Sequence, residues 1–218
     1  MGYQLRFVGG QQAPYQLGKI VCVGRNYADH AKELNNPIPS EPILFIKPES
    51  AAVSIADPIV IPEGDCHYET ELSVLIAMPL SKASEAEVEQ AIAGFGLALD
   101  LTRRDVQTKL KAQGHPWEIA KSFDGACPLT DFVACDTLGA LNQLSFTLHI
   151  NNELRQTGEC SEMLTPILPL IAYMSQHFTL KPGDVILTGT PKGVGKLQSG
   201  DQLRLSFDNK YTFETVVR

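Results

Sequence analysis

Glu69, Glu71 and Asp100 are the residues of this chain whose types and spacing most clearly suit chemistry. Glu69 and Glu71 lie in the run His67-Tyr-Glu-Thr-Glu-Leu-Ser-Val-Leu-Ile-Ala77, which reads as a β-strand. Side chains alternate along a strand, so both acids project from one face of a largely apolar segment. Like charges placed side by side there are costly unless something positive sits between them. A second apolar run, Ala91-Ile-Ala-Gly-Phe-Gly-Leu-Ala-Leu99, ends in Asp100, with small Gly96 and Ala98 on the same face to leave room for a ligand. Three carboxylates without a nearby Cys or His pair suit a hard cation, Mg²⁺, Mn²⁺ or Ca²⁺, rather than Zn²⁺. An isolated Glu-x-Glu is more often a solvated edge or an ion pair; Asp100 at the end of a buried run tilts the balance toward a metal.

His30 and Glu33 are three apart on a helix predicted over Asn26–Leu34, so they can touch. A carboxylate beside an imidazole orients it and favours its protonated form. Such a pair can take a proton from water, although the spacing alone equally fits a surface pair. Arg25, Lys47 and Lys121 are single cations near turns. In a dry pocket beside a metal, a lysine can hold a substrate carboxylate or a developing enolate; elsewhere it is a plain surface charge. The tail Leu187-Thr-Gly-Thr-Pro-Lys-Gly-Val-Gly-Lys196 is too long by one residue for a P-loop and has Leu197 where Ser or Thr belongs. A backbone cradle for a small anion, with Thr190 as a donor, stays open.

The elements that must position these groups follow from periodicity and breakers. Strands are expected at Gly18–Gly24, Ile43–Ile46, Ile59–Ile61, His67–Ala77 and Gly94–Asp100. Helices are expected at Asn26–Leu34, capped by Asn26, and at Ser84–Ile92, with Ser84 and Glu87 as a capping box. Two more are expected at Thr102–Gln113, stopped by Gly114, and at Pro166–Phe178. Beyond Pro116 the chain reads mostly as strand, with Asn151-Asn152 as a hairpin turn after Ser145–Ile150. Many short strands with a few short helices predict a β-rich α+β fold, and no composition shift marks a domain boundary within residues 1–218.

Bulk properties remove several function classes. A net charge of −7 offers no basic block to neutralise phosphates, so no nucleic-acid partner is expected. No run approaches the roughly 20 apolar residues of a membrane span, and the first residues contain no signal-peptide core. Cys22, Cys66, Cys127, Cys135 and Cys160 are scattered and odd in number, which predicts reduced, buried thiols in a cytoplasm-like compartment.

Six segments, in order and spanning nearly the whole chain, resemble the fumarylacetoacetate hydrolase family, in particular its small single-domain members of the acylpyruvase and oxaloacetate-tautomerase type. They are Val23-Gly-Arg-Asn-Tyr-Ala-Asp-His-Ala-Lys-Glu33, Phe45-Ile-Lys-Pro48, Tyr68-Glu-Thr-Glu-Leu72, Ala98–Thr102 with Arg104-Asp-Val-Gln107, Ala120-Lys-Ser-Phe-Asp-Gly125, and Leu187–Pro191 with Gly193-Val-Gly195. The resemblance implies a mixed β-sandwich roll, a homodimer, and Mg²⁺ or Mn²⁺ on Glu69, Glu71 and Asp100. It implies that His30 and Glu33 form a catalytic dyad on a mobile lid and that Lys121 is an active-site lysine. Arg25 and Thr190 match substrate-contacting positions, Lys47 is a further substrate-binding candidate, and Arg25, Lys47 or Arg104 could serve as the cation for a distal carboxylate. The activity first implied is metal-dependent hydrolysis of 2,4-dioxo acids such as acetylpyruvate or fumarylpyruvate, through a pyruvate enolate. The same site would serve an oxaloacetate keto–enol tautomerase or decarboxylase, or an isomerase or decarboxylase of dicarboxylates from aromatic-ring degradation. Outside catalysis, the three acids would be a structural metal site, against which the His30–Glu33 pair argues.

Overall fold

The computed structural model describes residues 3–218. Its frame is a mixed sheet in the order β2 (Ile43–Lys47), β1 (Ile20–Gly24), β12 (Val185–Leu187), β5 (Thr70–Ile76), β6 (Ile92–Leu99), β8 (Cys127–Leu129) and β3 (Ala52–Ser54). A short β9 (Val133–Ala134) also pairs with β6. β1 runs parallel to β12 and β3 parallel to β8; the other pairs are antiparallel. A second sheet stacks β11 (Glu153–Glu159), β10 (Ser145–Ile150), β14 (Gln202–Phe207) and β15 (Tyr211–Val216). A small third sheet joins β13 (Gly195–Lys196), β4 (Cys66–Tyr68) and β7 (Thr102–Arg103). The helices are α1 (Ala28–Glu33), α2 (Glu85–Ala91), α3 (Arg104–Gln113), α4 (Glu118–Lys121) and α5 (Ile167–His177). This is the β-rich α+β class expected, with the sheets curled into a roll.

Strand alternation builds two cores. Val21, Val23, Leu72, Val74, Phe95 and Leu97 face one way, against Phe146, Leu148, Leu205 and Phe207 of the second sheet and the buried sides of α2 and α5. Ile20, Cys22, Leu75, Ala98, Val185 and Leu187 face the other way, against Leu5, Leu17 and Phe132. Each fully buried Val, Leu or Phe stabilises the fold by about 1.5–3 kcal/mol, so the central strands are fixed from both sides. Glu71 has the parity of Leu75, and Asp100 that of Ala98. The acids therefore project on the second face, from a rigid platform.

The expected elements hold in outline and shift in instructive ways. Ser84 accepts from the Glu87 N–H, and the Glu87 carboxylate accepts from the Ser84 N–H, so the capping box is formed. Gly114 ends α3 in the left-handed region at φ 65°. Asn151 and Asn152 turn the β10–β11 hairpin at φ 53° and 67°. Asn26, however, does not cap α1. Tyr27 holds the cap position, and the Asn26 amide instead donates to the Thr165 and Thr188 carbonyls and accepts from the Thr165 N–H. Three bonds across the fold outweigh one local cap. Ile59–Ile61 forms no strand; Ile59 makes a single bridge to Val217. The run His67–Ala77 is broken at Glu69, where the chain leaves the small sheet for the main one. The region after Pro116 holds α4, which was not expected; a four-residue helix carries too few positions for periodicity to register.

Candidate active site

The sheet register assembles the acids. β5 and β6 pair Glu71 with Ala98, and the Asp100 N–H donates to the Glu69 carbonyl at 2.8 Å. One oxygen from each of Glu69, Glu71 and Asp100 lies within 4.8 Å of the others, and all three side chains are buried. Lys121, at the end of α4, donates to Glu69 at 2.7 Å and to Asp100 at 2.6 Å. Lys47 pairs with the other Asp100 oxygen at 2.7 Å and also donates to the Lys121 carbonyl. Arg104, the first residue of α3, pairs with Glu69 and donates to Gln107 Oε1 at 2.8 Å. Glu71 accepts from the Gly189 N–H at 2.6 Å and has no cationic partner among the described residues.

Charge is unevenly compensated across these groups. Burial pushes Glu71 well above the ordinary carboxylate range, and the negative Asp100 and Glu69 add to it. Burial also works to raise Glu69, but Lys121 and Arg104 outweigh it and hold that carboxyl well below the usual value. Burial opposes the Lys121 charge, yet Asp100 and Glu69 keep its ammonium firmly protonated. A buried carboxylate pressed by two neighbours and met only by one backbone N–H fits a divalent cation, and the all-oxygen donor set suits Mg²⁺ or Mn²⁺.

His30 lies on α1, buried, with Nδ1 3.5 Å from a Glu33 carboxylate oxygen. At that separation the two groups are in ion-pair range without a formed hydrogen bond. Glu33 instead accepts from the Gly193 N–H at 3.0 Å, and Asp29 pairs with Lys192 at 2.9 Å, so α1 is pinned to the tail loop. Burial lowers the His30 pKa despite the nearby Glu69, which leaves the imidazole neutral near pH 7.

His30, Arg25 and Thr190 line the same small cavity as the three acids and Lys121. Its free space is about 30 Å³, enough for a couple of water-sized bodies. Lys47 does not reach it. That side chain is wholly buried beneath Asp100, where it is a fixed counter-charge to that carboxylate. The Thr190 hydroxyl proton goes to the Thr70 carbonyl, and its oxygen accepts from Gln156. Thr190 thus borders the cavity with its hydroxyl already engaged. The room expected beside Gly96 is taken by Thr130, whose Oγ1 would lie 2.8 Å from an added Cβ. Gln107, Lys111, Phe45 and Trp117 also line the cavity and were not singled out in the sequence. The signal existed: Arg104, Gln107 and Lys111 fall at i, i+3 and i+7, one face of α3. Four of the five cysteines are buried and none lines the cavity.

The model of the fumarylacetoacetate (FAA) hydrolase C-terminal family matches residues 19–218. The chain belongs to the fumarylacetoacetate hydrolase family. Among curated members, oxaloacetate tautomerase YcgM of Escherichia coli (strain K12) is 52% identical over 209 residues, 94% of this chain and 95% of its own length. A fumarylacetoacetate hydrolase family protein of Yersinia pestis CO92 superposes with a TM-score of 0.97 at 49% identity, covering 99% of this chain and 100% of its own. Fumarylpyruvate hydrolase of Pseudomonas aeruginosa, solved in complex with Mn²⁺ and pyruvate, superposes with a TM-score of 0.92 at 30% identity, covering 99% of this chain and 95% of its own. Within the family the chain is an enzyme, and its relatives include an oxaloacetate tautomerase and a fumarylpyruvate hydrolase.

Proposed function

We propose that this enzyme is an oxaloacetate keto–enol tautomerase that works with Mg²⁺ or Mn²⁺. The carrying observation is the buried Glu69–Glu71–Asp100 cluster with a neutral His30 and a protonated Lys121 on one cavity; the 52% likeness to a named oxaloacetate tautomerase supports the choice of substrate. Glu69, Glu71 and Asp100 would hold the cation, which when bound supplies Lewis-acid polarisation of a 2-oxo acid. His30 carries the proton at C3 as general base and acid. The Lys121 ammonium spends two of its three protons on Glu69 and Asp100, leaving one for the oxygen that gains charge as the enolate develops. Gln107 offers its amide NH₂, since its oxygen is held by Arg104.

α1 carries His30 over the cavity and serves as its lid, opening for entry and closing over the bound acid. Its Asp29–Lys192 tether is solvent-exposed and screened, so it resists opening only weakly. Closure excludes bulk water, and a site that moves a proton without water attack has no need to admit it.

The test is a substrate panel with purified enzyme and Mg²⁺, following the enol and keto forms of oxaloacetate separately beside acetylpyruvate and fumarylpyruvate. Accelerated oxaloacetate tautomerisation that falls about 10²–10⁴-fold in His30→Asn is the expected result. Hydrolysis of acetylpyruvate or fumarylpyruvate with no acceleration on oxaloacetate would favour a second reading, C–C bond hydrolysis of 2,4-dioxo acids. That reading draws on the likeness to the Pseudomonas fumarylpyruvate hydrolase. The proposal includes a single catalytic domain over residues 1–218, a cytoplasmic setting and a homodimer; light scattering should give twice the mass of the chain, and the single-chain mass would reject the dimer.

A further inference from the structure

Most cations around the cavity are spoken for. Lys121, Lys47 and Arg104 are bound to Glu69 and Asp100. Arg25 and Lys111 are different: both are half-buried, both line the cavity, and neither has a carboxylate partner among the described residues. Lys111 lies over the Trp117 ring at 5.1 Å from its centroid, and Trp117 packs against Phe45 with centroids 6.1 Å apart. That aromatic wall lowers the local dielectric and strengthens any charge interaction beside it. Arg25 holds φ 60°, the left-handed region, uncommon for a residue with a long side chain and retained only where surroundings fix it. Burial, with the positive charges of Arg25, Arg104 and Lys121, pushes Lys111 down to about 8. Two half-buried cations on one cavity wall, neither with a carboxylate partner of its own, carry a desolvation cost that an incoming carboxylate relieves.

We infer that Arg25 and Lys111 form a second anion seat in the cavity, which takes the distal carboxylate of a short 2-oxo diacid and sets the enzyme's preference for diacids over 2-oxo acids with uncharged tails. The inference rests on the reading of the site as one for 2-oxo acids. The three-acid cluster and its cation take the 2-oxo acid end; Arg25 and Lys111 take the other. A neutral tail would leave both cations unpaired and would be rejected on that account.

Trp117 is the chain's only tryptophan and reports from the seat itself. Its fluorescence is titrated, by rapid mixing with the full-length Mg²⁺-loaded enzyme, against oxaloacetate and against pyruvate, which lacks the distal carboxylate. The wild type should bind oxaloacetate at least about tenfold more tightly than pyruvate, the scale of one charge-assisted contact. Lys111→Gln and Arg25→Gln should each weaken oxaloacetate about tenfold and leave pyruvate within about twofold. Lys111→Arg, which keeps the charge, should restore the preference. Equal weakening of both ligands, no weakening of either, or a wild type without preference would overturn the seat. Because binding is read apart from turnover, a wild type that prefers the diacid but does not tautomerise it would uphold the seat and sink the tautomerase reading.

Discussion

His30 must be neutral before it can accept a proton, and its surroundings settle that. Burial holds its pKa below the ordinary 6.5 despite the nearby Glu69. A base is competent above its pKa and lost as pH falls through it, so the acid limb of the pH–rate profile should lie below 6.5. An acid limb at 7 or above, with the basic side unchanged, would mean that another group carries the proton. The same scale separates Lys121 from Lys47. Both are lysines near turns in the sequence, and both end up buried on Asp100. Only Lys121 reaches the cavity, because α4 carries it there while β2 carries Lys47 beneath. Residue type marked both as candidates, but nothing in the local pattern could rank them.

At the level of elements, the site depends on where strands end. Glu69 sits at the break between β4 and β5, Asp100 just past β6, and Gly189 just past β12. Gly189 has φ 96°, and an added Cβ would lie 2.7 Å from Asn26 Cβ. Its N–H meets Glu71, while Asn26 ties the start of the α1 segment to Thr165 and Thr188. Gly189→Ala should therefore cost more than about 1 kcal/mol from the backbone conformation alone, and should loosen both Glu71 and the α1 segment. The check is a denaturant melt beside a Mg²⁺ titration; unchanged midpoint and affinity would refute the role. Strand and helix positions of this kind were largely legible: the capping box at Ser84, the stop at Gly114 and the Asn151-Asn152 turn are local chemistry. Asn26 and the Ile59–Ile61 run misled because their partners, Thr165, Thr188 and Val217, lie far away in sequence.

Across the whole molecule, the rigid double-faced sheet holds three buried acids together against their repulsion. A cation that binds only the folded state stabilises it by mass action, by about 2.7 kcal/mol at a hundredfold excess over Kd. For a chain of this length that is a rise of about 5–10 °C in Tm. Mg²⁺ should produce such a rise and chelation should reverse it. Glu71→Gln should keep the Gly189 contact, raise the Tm of the metal-free protein by relieving repulsion, and abolish the Mg²⁺ response. A full Mg²⁺ response in that variant would remove Glu71 from the metal set.

The sequence by itself determined the chemistry on offer: three carboxylates on two apolar runs, a His–Glu pair one helical turn apart, a β-rich α+β frame and the family whose segments it carries in order. These are properties of residue type and short spacing, which periodicity and motif can register. The tertiary structure decided which groups meet. It joined Asp100 to Glu69 through strand pairing, sank Lys47 out of reach and engaged the Thr190 hydroxyl elsewhere. It also brought Arg25 to the same cavity as Lys111 and Trp117. Those outcomes depend on pairing between residues tens of positions apart, and the energies that select them arise only when the sheets and helices pack.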